Sequence, residues 1–266
     1  MNLILTHGFL GSRHFFGINY FNGVKEFLEK TFDALPLRVL VTEVEPLGEV
    51  QLRGKTQLRD HIEDAFNKHI LDPDENTHLI AHSMGGLNAR FCISPKNPGN
   101  IADRITSLIT IGTPHRGSPV ADLLSAGSLP FSSEIRSIFS LSLEEIDISL
   151  SCIDDLTTET AKRFNQQTPD HPKVQYRSYA GKGRTGTNPT CALLLPTYAL
   201  ISKTTGEEND GLVTVTSASW GQLIGIWPAD HADEIGHDLD GGVSAKPQAF
   251  DFLLEYKKIV DGLKEL

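Results

Sequence analysis

The 266-residue chain predicts an α/β protein with a mostly parallel, doubly wound sheet, because strand-like apolar runs alternate along it with segments of helical periodicity. A second observation agrees: the residues able to do chemistry fall just after the strand-like runs, where such a sheet places its loops. The length suits a single domain, 1–266, able to bury a full core, and no internal repeat or low-complexity tract interrupts it.

Leu3–Thr6 reads as the first strand. The helix expected over Tyr20–Phe32 carries Phe21, Val24, Phe27, Leu28 and Phe32 at helical spacing. Leu37–Val41 is the next strand. A long helix follows over Val50–Ile70, with Leu58, Ile62, Ala65, Phe66 and Ile70 on one face. Thr77–Ile80 is a short buried strand, Gly85–Ile93 a helix and Ile105–Ile111 a further strand. Val174–Tyr179 and Leu212–Val215 supply the later strands. A closing helix over Pro247–Leu263 turns Phe250, Leu253 and Leu254 inward.

The run Ala81-His82-Ser83-Met84-Gly85-Gly86 lies between the third strand and its helix. A serine in so tight a junction is tolerated only when the residues two away on each side are small, and here they are Ala81 and Gly85. Such an elbow lifts the Ser83 hydroxyl off the sheet, with a helix N-terminus behind it that favours developing negative charge. An ordinary turn serine capping a helix is the plain alternative. Serine is a weak nucleophile unless a base takes its proton, and a carboxylate must then hold that base in the right tautomer. Asp210 in Asn209-Asp210-Gly211-Leu212-Val213 and His231 in Asp230-His231-Ala232-Asp233 supply these in the order Ser, Asp, His. His237 competes with His231, and Asp210 beside Gly211 could be plain turn chemistry. After the first strand, His7-Gly8-Phe9 allows the Phe9 N–H to point at a substrate oxygen, with the Met84 N–H as the second donor of an oxyanion hole. His82 reads as a packing or pocket-lining residue, and His115 as ordering the loop from Thr113 to Ser118.

These motifs resemble the bacterial triacylglycerol lipases of the α/β-hydrolase superfamily. The likeness runs from His7-Gly8-Phe9-Leu10-Gly11 and Tyr20-Phe21-Asn22-Gly23-Val24 to the His231 region. It includes the Ser83 elbow, Gly112-Thr113-Pro114-His115-Arg116-Gly117-Ser118, Leu156-Thr157, Phe164-Asn165 and the Asp210 segment. It implies an α/β-hydrolase fold, Ser83 as nucleophile, Asp210 as acid, His231 as base, and Phe9 and Met84 as oxyanion donors. A serine ester hydrolase acting on acylglycerols or related acyl esters is the expectation. Hydrolysis of another ester or polyester, or acyl transfer, would use the same three residues, and a catalytically silent binding protein would need them broken. The resemblance also implies a calcium ion held by an aspartate two residues past the histidine and another upstream of the triad aspartate. Asp233 stands at the first position, but Pro172–Gly206 contains no Asp or Glu. One carboxylate makes a poor calcium site. No metal or other cofactor is therefore expected, with Asp233 left as a weak calcium candidate.

Residues 118–155 break the alternation. They hold Val120, Leu123, Leu124, Leu129, Phe131, Ile135, Ile138, Phe139, Leu141, Leu143, Ile146 and Ile148, broken by serines, Gly127 and Pro130. This is too apolar for an exposed loop and is read as an inserted helical cap or lid over the serine. An apolar face exposed on opening would suit a lipid–water interface.

A net charge of −10 argues against nucleic acid or an anionic surface as partner. No apolar run is long enough to span a bilayer. The first strand begins at once, without a charged leader, which predicts a cytoplasmic protein, the alternative being the mature form of a secreted one. Cys92, Cys152 and Cys191 have no metal-type spacing. A bridge between Cys152 and Cys191 is open, though the odd count favours a reducing compartment.

Overall fold

The computed structural model describes residues 1–8, 19–45, 48–97, 99–126, 151–183, 190–237 and 250–265. Its centre is a six-stranded sheet in the order β2-β1-β3-β4-β5-β6, every pair parallel. The strands are β1 (Asn2–Thr6), β2 (Arg38–Val41), β3 (Thr77–His82), β4 (Ser107–Ile111), β5 (Gln175–Gly181) and β6 (Gln222–Trp227). The helices are α1 (Val24–Thr31), α2 (Val50–Leu52), α3 (Arg59–Asn67), α4 (Gly85–Ile93), α5 (Pro119–Ser125), α6 (Ser151–Asp154), α7 (Thr158–Gln167), α8 (Leu195–Thr205), α9 (Val215–Ala218) and α10 (Phe252–Leu263).

Successive strand residues point to opposite faces, and both faces are covered, so β1 is buried throughout and Leu3, Ile4 and Leu5 are consecutively apolar. Leu3 and Leu5 pack with Val24 and Leu28 of α1 and Tyr256 and Val260 of α10. Ile4, between them, packs on the other side with Ile62 and Phe66 of α3 and Ala89 of α4. Because all strands run one way, their C-terminal ends and the loops after them gather along one edge.

The structure departs from the sequence expectations in several places. The helix over Val50–Ile70 is broken by a π-helical turn, Arg53–Leu58, between α2 and α3, and Ile70 lies beyond it, half exposed. Leu212–Val215 is not a strand of the sheet. Asp210 Oδ1 accepts the N–H groups of Leu212 and Val213, which folds the segment into a turn leading to α9. The sixth strand is instead Gln222–Trp227, at the sheet edge, where Leu223, Ile224 and Ile226 stay exposed and only Trp227 is buried. In α10, Leu254 faces solvent while Tyr256, Ile259 and Val260 point inward. Cys92, Cys152 and Cys191 are buried and remain thiols, so the open Cys152–Cys191 bridge is absent. Within the expected cap, α5 and α6 are described. Residues 127–150, with Phe131 and Phe139, lie outside the described residues. No helix among the described residues is long and apolar enough to cross a membrane.

Gly85 shows how tightly α4 approaches β1. A Cβ there would lie 2.7 Å from the carbonyl oxygens of both Thr6 and His7. Main-chain atoms cannot rotate aside, so Gly85→Ala is expected to cost about 1–3 kcal/mol. Thermal melts should show a loss of several degrees, whereas Gly262→Ala, where a Cβ meets nothing, should change little.

Candidate active site

Ser83 follows β3 directly and has φ 56°, a left-handed backbone unusual for a residue with a side chain. Its N–H donates to the Ile111 carbonyl (2.9 Å), and the Thr113 hydroxyl donates to its carbonyl (2.8 Å). The end of β4 therefore clamps the elbow from both sides of the peptide. Two loops bring the partners. His231 Nε2 lies 2.9 Å from Ser83 Oγ, and His231 Nδ1 lies 2.7 Å from Asp210 Oδ2. The His231 main-chain N–H also donates to the Asp210 carbonyl (2.9 Å). With its Nδ1–H donating to Asp210 Oδ2, His231 presents an Nε2 lone pair to the hydroxyl. All three groups are nearly buried. His237 is elsewhere, with Nε2 2.8 Å from the Tyr20 carbonyl.

The loop after β1 forms the facing wall. Its carbonyls are gripped by Arg53, delivered by the π-helical turn: Nη2 donates to His7 O (3.1 Å) and Gly8 O (2.8 Å), while Nη1 contacts Met84 Sδ (3.1 Å). Burial lowers Arg53 to about 10, so the guanidinium remains charged at neutral pH. His7 Nε2 accepts the Val44 N–H (3.3 Å), which leaves the ring hydrogen on Nδ1 to donate to Gly8 O (3.1 Å). Burial, then the Arg53 charge, lowers His7 to about 4, so the ring is neutral. Phe9 lies outside the described residues. Met84 is fully buried at the start of α4.

The sequence motifs do not point to Tyr20, Arg53 or Glu234 as parts of the site. Glu234 lies one helical turn after His231 and is completely buried, with Oε2 2.9 Å from His82 Nε2 and 3.6 Å from His231 Nδ1. Gly112 and Gly181, at the ends of β4 and β5, make room for its carboxyl group, which a Cβ at either position would strike. Burial, then the Asp210, Asp230 and Asp233 carboxylates, raises Glu234 well above the ordinary range. His82 is not mere packing. Its Nδ1 is 2.7 Å from the Tyr20 hydroxyl and its ring lies 4.5 Å from that of His231. The only sequence signal for Glu234 is its i+3 spacing from the histidine. His115, as expected, organises its loop: it bonds Thr110 and stacks on Trp220, over which the Arg90 guanidinium lies at 3.6 Å.

Asp230 accounts for much of the loop's order. It accepts the N–H groups of Cys191, Ala232 and Asp233, while Asp233 Oδ2 faces the Asp230 N–H at 3.4 Å. Beside Ser83 an apolar cavity of about 60 Å³ is lined by Val120, Ala121, Leu124, Ile153, Leu156 and Val213 among others.

A parallel sheet with an elbow serine, and an aspartate and a histidine on later loops, defines the α/β-hydrolase class. The chain is similar to Triacylglycerol lipase 2 of Saccharomyces cerevisiae, at 35% identity over 238 residues covering 82% of this chain and 62% of the yeast protein. It is 28% identical to the triacylglycerol lipase of Vibrio cholerae, over 88% of this chain and 78% of that one. A family model described as a PGAP1-like alpha/beta domain matches residues 56–148. The mature lipase of Bacillus licheniformis shares the fold, with a TM-score of 0.69 at 22% identity over 91% of this chain and 89% of that one. The chain is thus similar to triacylglycerol lipases over most of its own length. It spans slightly less than two thirds of the yeast relative's length.

Four buried histidines are held neutral. Burial lowers His7 and His78 to about 4, and His82 and His115 fall well below the ordinary range for the same reason. Between about pH 6.5 and 4 the unfolded chain binds protons these rings refuse, so their contribution to stability is lost as pH falls through that window. Glu234, holding a proton in the fold, contributes in the opposite sense. Among the described residues His78 bonds only Ser107 Oγ and takes no part in the triad. His78→Asn should therefore lose less stability than the parent between pH 7 and 5, by up to about 1.4 kcal/mol per pH unit, read from urea unfolding at each pH.

Proposed function

We propose that the protein is a serine carboxylic-ester hydrolase of lipase or esterase type, acting on acylglycerols or related acyl esters. The observation that carries this reading is the bonded chain from Ser83 Oγ through His231 to Asp210 at a strained elbow. His231 Nε2 takes the Ser83 proton as Oγ attacks the ester carbonyl carbon. The tetrahedral oxyanion is held by the N–H groups of Met84 and Phe9. His231 then protonates the departing alkoxide, leaving an acyl-enzyme. Water, deprotonated by the same nitrogen, attacks the acyl carbon, and Ser83 is regenerated as the carboxylic acid leaves. Asp210 stays ionised, holding the imidazole tautomer and stabilising the imidazolium.

Two features support the oxyanion assignment. Gly8 O, the carbonyl just before Phe9 in the chain, is held by both Arg53 and His7. Among the described residues nothing accepts the Met84 N–H. The reaction so written calls on no metal or cofactor. The triacylglycerol lipase names of the yeast and Vibrio relatives, and the apolar wall of α5 and α6 beside Ser83, support a lipid acyl ester as substrate.

Ser83→Ala should abolish hydrolysis of p-nitrophenyl esters and labelling by a fluorophosphonate while the thermal melt is kept. His231→Ala should lower kcat by several powers of ten, and His237→Ala by less than about tenfold. The reverse ranking of the histidines would move the base to His237.

The cavity that the described residues form beside Ser83 measures about 60 Å³. Leu124→Ala should widen it and raise kcat/KM for octanoate esters relative to acetate esters, each newly buried methylene being worth about 0.8 kcal/mol. Equal changes on both esters would show that this cavity does not receive the acyl chain.

A further inference from the structure

Behind the triad a second chain of polar groups runs from Glu234 to the loop after β1. Glu234 Oε2 meets His82 Nε2 at 2.9 Å, His82 Nδ1 meets the Tyr20 hydroxyl at 2.7 Å, and the Gly8 N–H donates to that hydroxyl at 3.1 Å. All of these groups come from different elements, and the reaction as written above uses none of them. The direction of the two hydrogen bonds that His82 makes turns on a single proton. Asp210 and Glu234 both face His231 Nδ1, at 2.7 and 3.6 Å, and two buried carboxylates so close are not both ionised. Asp210 accepts three N–H groups, from Leu212, Val213 and the His231 ring. Glu234 accepts none from the backbone, and its Oε1 has no hydrogen-bond partner among the described residues. The negative charge therefore sits on Asp210 and the proton on Glu234.

A protonated Glu234 donates to His82 Nε2. The hydrogen of the His82 ring is then on Nδ1 and donates to the Tyr20 oxygen, which already accepts from Gly8. The hydrogen of Tyr20 must point elsewhere, and the side towards Ser83 is close. A Cβ on Gly8 would lie 2.9 Å from Tyr20 Oη and 3.0 Å from Ser83 Oγ, so the two oxygens are at most about 6 Å apart. An oxyanion on a tetrahedral carbon bonded to Oγ lies about 2.3 Å from it, so one O–H···O bond of about 2.7 Å links it to a hydroxyl up to about 5 Å from Oγ, a separation inside that bound.

We propose that the Tyr20 hydroxyl donates a hydrogen bond to the reacting ester oxygen as charge develops on it, and that Glu234 and His82 are positioning residues that hold Tyr20 in the donating orientation. The proposal rests on Ser83 being the nucleophile. Tyr20 then adds a side-chain donor to the two main-chain ones. It strengthens as the carbonyl oxygen becomes an oxyanion, so it acts on kcat more than on KM.

Tyr20→Phe should lower kcat on p-nitrophenyl butyrate by about tenfold to a hundredfold, with KM within about twofold and Ser83 still labelled to completion by a fluorophosphonate. Glu234→Leu should cause a similar fall and add little to Tyr20→Phe in the double variant. Glu234→Gln, whose amide N–H can donate to His82 Nε2, should recover most of the loss. Nitrogen-15 NMR of histidine-labelled protein reads the arrangement directly, with His82 carrying its hydrogen on Nδ1. This spectrum needs only the parent protein, so it decides the question even where Glu234→Leu fails to fold. A His82 hydrogen on Nε2, or a Tyr20→Phe kcat within twofold of the parent, overturns the relay. Failure of the parent to label at Ser83 overturns the hydrolase reading instead.

Discussion

Ser83 is held with φ 56°, a backbone state that costs a non-glycine residue about 1–3 kcal/mol, and its surroundings are arranged to impose it. The parallel pairing of β3 with β4 sets Ile111 O where it captures the Ser83 N–H, and Thr113 then closes on the Ser83 carbonyl. Gly85 lets α4 start against the carbonyls of β1, close enough that no side chain fits. The strain is thus distributed over two neighbouring strands and a helix rather than stored in the loop alone. Every other part of the site is positioned relative to this elbow, because the same strand direction delivers the loops after β1, β4, β5 and β6 to the same edge.

Around the elbow the protein buries several ionisable groups, and the arrangement keeps some of them neutral. Burying charge without a partner is costly, so His7, His82 and His115 give up protons and Glu234 keeps one. Among the groups that remain charged, two flank the serine. Asp210 is surrounded by N–H donors, and Arg53 spreads its charge over the carbonyls of His7 and Gly8. The first sits behind the histidine that must become a cation in the proposed reaction. The second fixes the Gly8 carbonyl, next in the chain to the proposed oxyanion donor. Their opposite signs fall on opposite sides of Ser83.

Much of this is legible in the amino-acid sequence. Ser83, Asp210 and His231 stand in motifs whose local chemistry can be read in a few residues, and the structure brings those three side chains within hydrogen-bonding distance. The strands β1, β3 and β4 and the helix α4 are legible because buried parallel strands are short apolar runs and α4 follows its elbow directly. The edge strand β6 carries an apolar run too, but Gly225 interrupts it and Leu223, Ile224 and Ile226 stay exposed, so the run does not mark a buried strand. Leu212–Val215 misleads for the converse reason. Its apolar residues pack beside Ala180 and beside Cys191 and Leu194, but the Asp210 carboxylate bends their backbone into a turn.

Local sequence, then, determined the alternation of elements, the elbow and the order of the three polar residues, because each depends on contacts within a few positions along the chain. The tertiary structure decided which histidine faces the serine, that a π-helical turn swings Arg53 under the first loop, and that Tyr20, His82 and Glu234 meet. Those contacts join residues as far apart as 152 positions, between His82 and Glu234. No periodicity or motif encodes such a meeting. It follows only once a parallel sheet has brought the ends of distant strands together and closed them off from water.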